Sequence, residues 1–360
     1  MKILFLAPAT SIHTQKWVNA FSKDNEVYLV TQHPCPEYDF ANTIVLPVKN
    51  GLGYYLNAIS LHNIVKKINP DVINVHYASG YGTLARIAKL PPYILNVWGS
   101  DVYDFPYESK TKMNIIKKNL KAAYAIASTS YVMKEQTLKL YKHSKDITVT
   151  PFGIDTNLFK PCEMKSESEK FIIGTVKTLD PKYGISTLIK AYNYAFENGL
   201  KNSELILVGG GPQEIELKNL AKSLSCSDNI KFVGKIPNKK VPNYLTKFDI
   251  YCALSESESE SFGVAVVEAE SCGIPVIVSD RGGLPEVTED NNTGFIVSHS
   301  DYEAAGKKIL ELYNNEELRK KMGISGRKLA VERYDWKVCV DIMKNLYELI
   351  FAVTKEVNKK

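Results

Sequence analysis

The sequence predicts an α/β protein built from two doubly wound, Rossmann-like domains. Three observations lead there. Short apolar strand patterns alternate with helical patterns along the whole chain, as in parallel sheets covered by helices. A polar, irregular segment, Pro161-Cys-Glu-Met-Lys-Ser-Glu-Ser-Glu-Lys170, interrupts the alternation, which restarts at Phe171. The length, 360 residues, exceeds the roughly 250 to 300 residues that one hydrophobic core holds. The expected domains are residues 1–165 and 166–334, followed by a terminal segment, 335–360.

The first strand, residues 2–7, is an apolar run stopped by Pro8, and helical periodicity follows over 14–22. The loop between them, Pro8-Ala-Thr-Ser-Ile-His-Thr14, puts Ser11 and His13 at the carboxyl end of the strand, where open α/β sheets bind ligands. It lacks G-x-G-x-x-G, so there is no dinucleotide fingerprint. Further strands read at 27–31, 72–76, 94–98, 125–128 and 148–150. His76 and the Trp98-Gly-Ser-Asp101 turn end two of these, so three strand ends gather polar groups on one rim. One such residue is commonly a cap; three together point to a site. Residues 50–68 and 110–121 mix apolar residues with lysines at near-helical spacing. Such helices either pack on their own sheet with solvated lysines or rest on a membrane face.

In the second half, strands read at 171–176, 205–208, 230–233, 250–254, 275–279 and 294–297, and helices at about 184–198, 212–224, 264–271, 301–313 and 315–332. A last amphipathic, aromatic helix over 335–352 needs a surface to cover. The stretch richest in chemistry is Glu260-Ser-Phe-Gly-Val-Ala-Val-Val-Glu268, continuing to Gly273 and a buried strand. It reads as a turn at Gly263 and a short helix ended by Gly273. The helix start offers backbone N–H groups and the positive end of the dipole, which is an anion site. Glu260 precedes it, and Glu268 lies about one turn in, on the side shared with Val264 and Ser271. A phosphate carrying hydroxyl groups fits that arrangement. A buried βαβ unit with solvated acids is the plainer reading of these residues alone.

The net charge of +5 is unevenly divided: residues 1–165 carry +7 and the remainder −2. A positive first half suits an anionic partner, either a phosphate-bearing acceptor or an anionic bilayer surface. No nucleic-acid partner is expected. No apolar run approaches the ~20 residues of a membrane span, and the apolar start is too short for a signal peptide, so a cytosolic protein is expected. Six cysteines without C-x-x-C spacing are expected to be reduced, buried thiols.

Several motifs resemble those of the family-4 retaining glycosyltransferases. Glu260 and Glu268 match the E-x7-E pair, which extends through Cys272-Gly-Ile-Pro-Val276, Arg281-Gly-Gly-Leu-Pro-Glu286 and Thr293-Gly-Phe-Ile-Val297. Thr150-Pro-Phe-Gly-Ile-Asp155, Val208-Gly-Gly-Gly-Pro212 and Phe232-Val-Gly-Lys235 match as well, in order along essentially the whole chain. The resemblance implies the GT-B arrangement of two Rossmann-like domains facing across a cleft, with a terminal helix that crosses back to the first domain. It implies a nucleotide-sugar donor, UDP-linked by family frequency, on the second domain. It places on the first domain a lipid-linked saccharide acceptor of the undecaprenyl-diphosphate kind used in O-antigen or capsule assembly, with peripheral contact at the inner membrane.

The resemblance also assigns roles. Glu268 would hold the ribose hydroxyls and Glu260 the donor sugar. The leaving phosphate oxygen would take the acceptor proton on the same face, giving retention. No D-x-D pair occurs, so no metal and no other cofactor is expected; Lys177, Lys182 and the N–H groups of Phe262, Gly263 and Val264 would receive the diphosphate. The chain departs from the family at Trp98, where a histidine is usual, and at Thr178 and Tyr183, where an arginine and a lysine are usual. The sugar contact would then pass to Asp101, His13 or His76, with Ser11, His13, His76 and Trp98 on the acceptor side and Glu260, Asp101 and His13 as catalytic candidates. The rival readings are a GT-B-fold sugar-nucleotide epimerase and a catalytically silent binding partner.

Overall fold

The structure, a computed structural model, describes residues 1–142, 146–162 and 170–357. Seven strands form one parallel sheet: β1 Lys2–Leu6, β2 Glu26–Thr31, β3 Thr43–Val45, β4 Val72–His76, β5 Ile94–Val97, β6 Ala125–Ser128 and β7 Thr148–Val149, in the order β3-β2-β1-β4-β5-β6-β7. Six more form a second: β8 Phe171–Val176, β9 Ser203–Val208, β10 Ile230–Gly234, β11 Ile250–Ala253, β12 Val276–Ser279 and β13 Gly294–Val297, in the order β10-β9-β8-β11-β12-β13. Ile3, Leu4, Phe5 and Leu6 of β1 are wholly buried, as parallel strands covered on both faces require. Strand order reverses between β1 and β4 in one sheet and between β8 and β11 in the other. Each reversal opens a crevice at the carboxyl ends of its strands.

The chain divides into two units, Met1–Phe152 with Cys339–Lys360, and Gly153–Val338. The boundary expected between residues 165 and 166 lies outside the described residues. Residues 153–160 go with the second unit because Ile154 exchanges backbone hydrogen bonds with Tyr334 and Trp336, at 2.9 and 2.7 Å. Arg327 reinforces this: its Nη1 donates to the carbonyls of Thr156, Phe159 and Ser271 at 2.8 to 2.9 Å. Ser271 closes the helix Val264–Ser271, so the guanidinium also caps that helix at its negative end.

The terminal helix, Trp336–Val357, buries Cys339, Met343, Leu346, Tyr347 and Ile350 in the first unit. Tyr347 accepts a hydrogen bond from Asn74 of β4 and packs its ring 4.6 Å from that of Phe21.

The structure differs from the sequence reading in several local respects. Strand β3 was not expected, because it is a three-residue, half-exposed edge without a strong apolar pattern. The helical pattern over 50–68 splits into Gly53–Leu56 and Ala58–Ile68 at buried Asn57, whose side chain bonds both the N–H and the C=O of Val48. A short helix at Leu284–Val287 also went unread. Of the cysteines, four are buried, but Cys162 is exposed and Cys35 half-buried.

Replacing Arg327 with Met strips three carbonyls of a charged donor. Urea unfolding of the full chain should show a loss of about 3 kcal/mol, and an unchanged midpoint would contradict the clamp.

Candidate active site

In the second unit the crevice at β8 and β11 is built around Glu260. The helix Val264–Ser271 begins after Gly263, whose φ of 94° makes the turn that a side-chain-bearing residue would resist. Among the described residues, the N–H groups of Gly263, Val264 and Ala265 donate no hydrogen bond, which leaves the positive helix end open to an anion. The Glu260 carbonyl is fixed by the Gly283 N–H at 2.7 Å, and Glu258 bonds the Gly282 N–H and the Arg281 guanidinium. These contacts tie the loop before the helix to Arg281-Gly-Gly283.

The Glu260 carboxylate, 8% exposed, pairs with Lys177 Nζ at 2.6 Å. Lys177 directly follows β8, held by its own N–H to the Val208 carbonyl at 2.9 Å. Burial pulls the ammonium down, but Glu260, Tyr251 and Tyr183 outweigh it, and its pKa ends above the ordinary lysine value. Lys177 is therefore held as the ammonium. The Tyr183 ring lies against two ammonium groups, 4.5 Å from Lys177 Nζ and 4.8 Å from Lys182 Nζ. Glu268 is buried on the helix, within electrostatic reach of Tyr251. Burial first, and Glu268 against the opposing pull of Lys177, push the Tyr251 phenol up to about 12. Glu268, Tyr251, Lys177 and Glu260 thus form one coupled electrostatic group.

In the first unit the crevice at β1 and β4 gathers aromatic and imidazole rings. His76, wholly buried at the end of β4, meets Thr14 Oγ1 through Nδ1 at 3.1 Å, and its ring centroid lies 4.3 Å from that of Trp98. His13 stacks on Phe152 at 4.0 Å and meets Trp98 edge-on at 6.0 Å. Burial, with Lys16 nearby, lowers the His13 pKa to about 4; burial, with His13 nearby, lowers that of His76 to about 3. Asp101 accepts from the N–H groups of Ala78, Trp98 and Gly99 at 2.8, 3.1 and 2.9 Å. Burial raises its pKa against the opposing effect of those donors. Its carboxylate clamps the chain after β4 to the turn after β5. Ser11 is the half-buried N-cap of the helix Ile12–Phe21 and makes no side-chain cap bond.

The donor-side residues Lys177, Lys182, Glu260, Gly263, Val264 and Glu268 therefore share one crevice of the second unit. The Phe262 ring turns inward, 3% exposed and 5.4 Å from Tyr334, so only its backbone is suited to a ligand. His13, His76, Trp98 and Asp101 share the first unit's crevice, which separates the three catalytic candidates by unit: Glu260 in one, His13 and Asp101 in the other. The sequence reading missed Tyr251 and, in the first unit, His33, Tyr54, Tyr77 and Tyr81. Tyr77 directly follows β4 and His33 lies two residues past β2, and those positions were a readable signal. Among the described residues, no group of three or more His, Cys, Asp or Glu is arranged to hold a metal ion.

Residues 160–329 match the family model of the group 1 glycosyl transferases, and residues 2–130 that of the glycosyl transferase 4-like domain. The chain is 26% identical to the N-acetyl-alpha-D-glucosaminyl L-malate synthase of Bacillus anthracis, over 81% of this chain and 77% of that one. It is also 26% identical to the capsular polysaccharide biosynthesis glycosyltransferase CapM of Staphylococcus aureus, over 90% of each. Among solved structures, Anabaena HepE in complex with UDP shares the fold, with a TM-score of 0.82, 18% identity and coverage of 98% of this chain and 100% of that one. A pair of doubly wound units carrying these motifs is a glycosyltransferase. Within that class the chain belongs with the family-4 enzymes of the GT-B fold.

The two desolvated imidazoles set a pH dependence. Their folded pKa values, about 4 for His13 and about 3 for His76, lie below the unfolded 6.5, so the unfolded chain takes up protons that the folded one refuses. Stability is therefore lost as pH falls from 6.5 toward those values, at about 1.4 kcal/mol per pH unit per histidine. Urea titrations across that window should show the decline, and His76→Gln should shallow it. A His76→Gln curve parallel to the wild type would contradict the assignment.

Proposed function

We propose that this glycosyltransferase is a metal-independent, retaining enzyme. It moves a hexose or N-acetylhexosamine from a UDP-sugar to a lipid-linked saccharide of the undecaprenyl-diphosphate type during bacterial surface-polysaccharide assembly. The observation that carries the donor half is the buried Lys177–Glu260 pair set beside an open helix start. A carboxylate fixed by a lysine suits neutral sugar hydroxyls, while the helix N–H groups and Lys182 suit the diphosphate. Glu268 on the same helix suits the ribose diol. The UDP bound by HepE and the capsule assignment of CapM support the donor and pathway classes.

In the reaction, the bond from the anomeric carbon to the β-phosphate oxygen breaks. The acceptor hydroxyl oxygen bonds that carbon on the same face, and its proton passes to the departing phosphate oxygen. The protein's task is to stabilise the leaving diphosphate and hold the developing oxocarbenium-like sugar. Asp101 contributes by fixing the turn that carries Trp98; it is a positioning residue.

The acceptor half draws on the first unit's surface. Leu52, Tyr55, Leu56 and Ile59 are 49% to 78% exposed at helical spacing, with Lys49, Lys66 and Lys67 exposed nearby. An apolar stripe flanked by lysines suits peripheral contact with an anionic bilayer, where a lipid-linked acceptor resides.

The test is transfer from a panel of radiolabelled nucleotide sugars to total bacterial membrane lipid. Saturable nucleotide binding without transfer from any donor would overturn the enzyme's assignment to a lipid acceptor. Glu268→Gln should weaken UDP binding about tenfold, whereas Glu260→Gln should lower turnover about a hundredfold with little change in UDP affinity. Full activity in both variants would sink the site.

A further inference from the structure

Beyond the histidines and Trp98, the first unit's crevice holds a second set of rings at the ends of β2 and β4. Tyr77, the first residue after β4, is half-buried with φ at 68°. A left-handed backbone is rare for a bulky side chain and costs about 1 to 2 kcal/mol. What it achieves is to stand the Tyr77 ring edge-on to Trp98, with centroids 5.0 Å apart. The Tyr54 ring is set by a second device: it lies on the backbone at Gly80, where an added Cβ would come within 2.2 Å of its Cζ. Tyr54 crosses Tyr81 edge-on at 5.5 Å, and its hydroxyl lies within electrostatic reach of Tyr77. On the far side, His33 Nδ1 meets the Tyr81 hydroxyl at 2.8 Å, which leaves Nε2 as its available polar atom. The Tyr81 hydroxyl is itself held by Thr31 and by the Gln32 N–H, both at 3.2 Å. The imidazole is thereby fixed in orientation.

These rings form a floor of buried Trp98 and Tyr81 and a rim of half-buried His13, His33, Tyr54 and Tyr77. Resting on the reading of this unit as the acceptor side, we propose that the rim is a subsite for an uncharged sugar ring of the acceptor. Tyr54 and Tyr77 stack on its apolar face, and His33 Nε2 bonds one of its hydroxyls. The chemistry of the rim selects the ligand class. Aromatic faces suit the C–H surface of a pyranose, and an oriented imidazole suits a hydroxyl. Burial lowers the pKa of both His13 and His33, so neither supplies the cation that a phosphate or carboxylate would require. The charged group that acts on His13 is Lys16, on the helix Ile12–Phe21. This part of the acceptor is therefore a neutral saccharide, unlike the dicarboxylate named for the Bacillus anthracis relative.

Saturation-transfer difference NMR on the full chain with UDP present tests this directly. The probes are methyl α- and β-pyranosides of glucose, galactose, mannose and N-acetylglucosamine. At least one should receive saturation at its ring protons, reduced about fivefold or more in Tyr77→Leu, while UDP affinity by calorimetry stays unchanged. L-malate and inorganic phosphate should not displace it. The subsite is overturned if no glycoside is saturated, if saturation survives Tyr77→Leu, or if malate displaces the sugar. Should Tyr77→Leu fail to fold, Tyr54→Leu gives the same readout with the backbone strain left in place. Failure of the unaltered protein to bind UDP or any other nucleoside diphosphate is a separate result: it brings down the donor assignment and this subsite with it.

Discussion

A parallel sheet covered on both faces leaves polar chemistry little room except at the ends of its strands. Both units obey this constraint. Every residue of β4, β5, β6, β9, β11 and β12 is buried, yet the connections leaving β1, β4, β8 and β11 carry His13, Tyr77, Lys177 and Glu260. The reversal of strand order decides which of those ends can hold a ligand, because there the crossing connections diverge to opposite faces. In the second unit the reversal lies between β8, which delivers Lys177, and β11, which leads into the loop carrying Glu260. In the first it lies between β1, which leads to His13, and β4, which delivers His76 and Tyr77.

Placing a lysine and a glutamate in a crevice floor has an energetic consequence. Each loses hydration, and only close pairing offsets that loss; removing one partner from such a pair costs about 3 to 5 kcal/mol because the other charge is stranded. At 2.6 Å the Lys177–Glu260 contact meets the requirement, and Tyr183 and Tyr251 add partly compensating dipoles around the ammonium. The pair therefore acts as a rigid polar fixture. Lys182, half-exposed beside the same tyrosine, retains more of its freedom.

Much of this was legible in the sequence. The alternation of apolar runs gave twelve of the thirteen strands, and the helix Val264–Ser271 was read at its observed bounds because Gly263 and Gly273 punctuate it. The E-x7-E spacing picked out the two acids that lie at the second unit's crevice. What stayed hidden depends on distance along the chain. Nothing in the residues around Glu260 shows that its partner is Lys177, eighty-three positions earlier. Asp101 read as a catalytic candidate for the sugar contact, and its carboxylate is occupied by three backbone donors, one of them from Ala78 on the neighbouring strand end. The split at Asn57 was unreadable for the same reason, since its amide bonds Val48 and Gln32 outside the helix.

The departures at Trp98, Thr178 and Tyr183 take on a physical meaning once their neighbours are known. Tyr183 stands where a lysine is usual, yet the positive charge has not left the site: the ammonium groups of Lys177 and Lys182 both gather on its ring. Relative to positions 178 and 183 each charge sits one residue earlier, at Lys177 and Lys182, and Lys177 becomes the partner of Glu260. Trp98 stands where a histidine is usual, and it too lies against the displaced chemistry, with His76 at 4.3 Å, His13 at 6.0 Å and Tyr77 at 5.0 Å. In each unit an aromatic ring occupies the polar position, and polar groups from adjacent elements close around it. A flat apolar surface edged by hydrogen-bonding groups recognises a ring with one C–H face and peripheral hydroxyls better than a single polar side chain does. An aromatic ring edged by polar groups of adjacent elements thus recurs in both crevices of this chain.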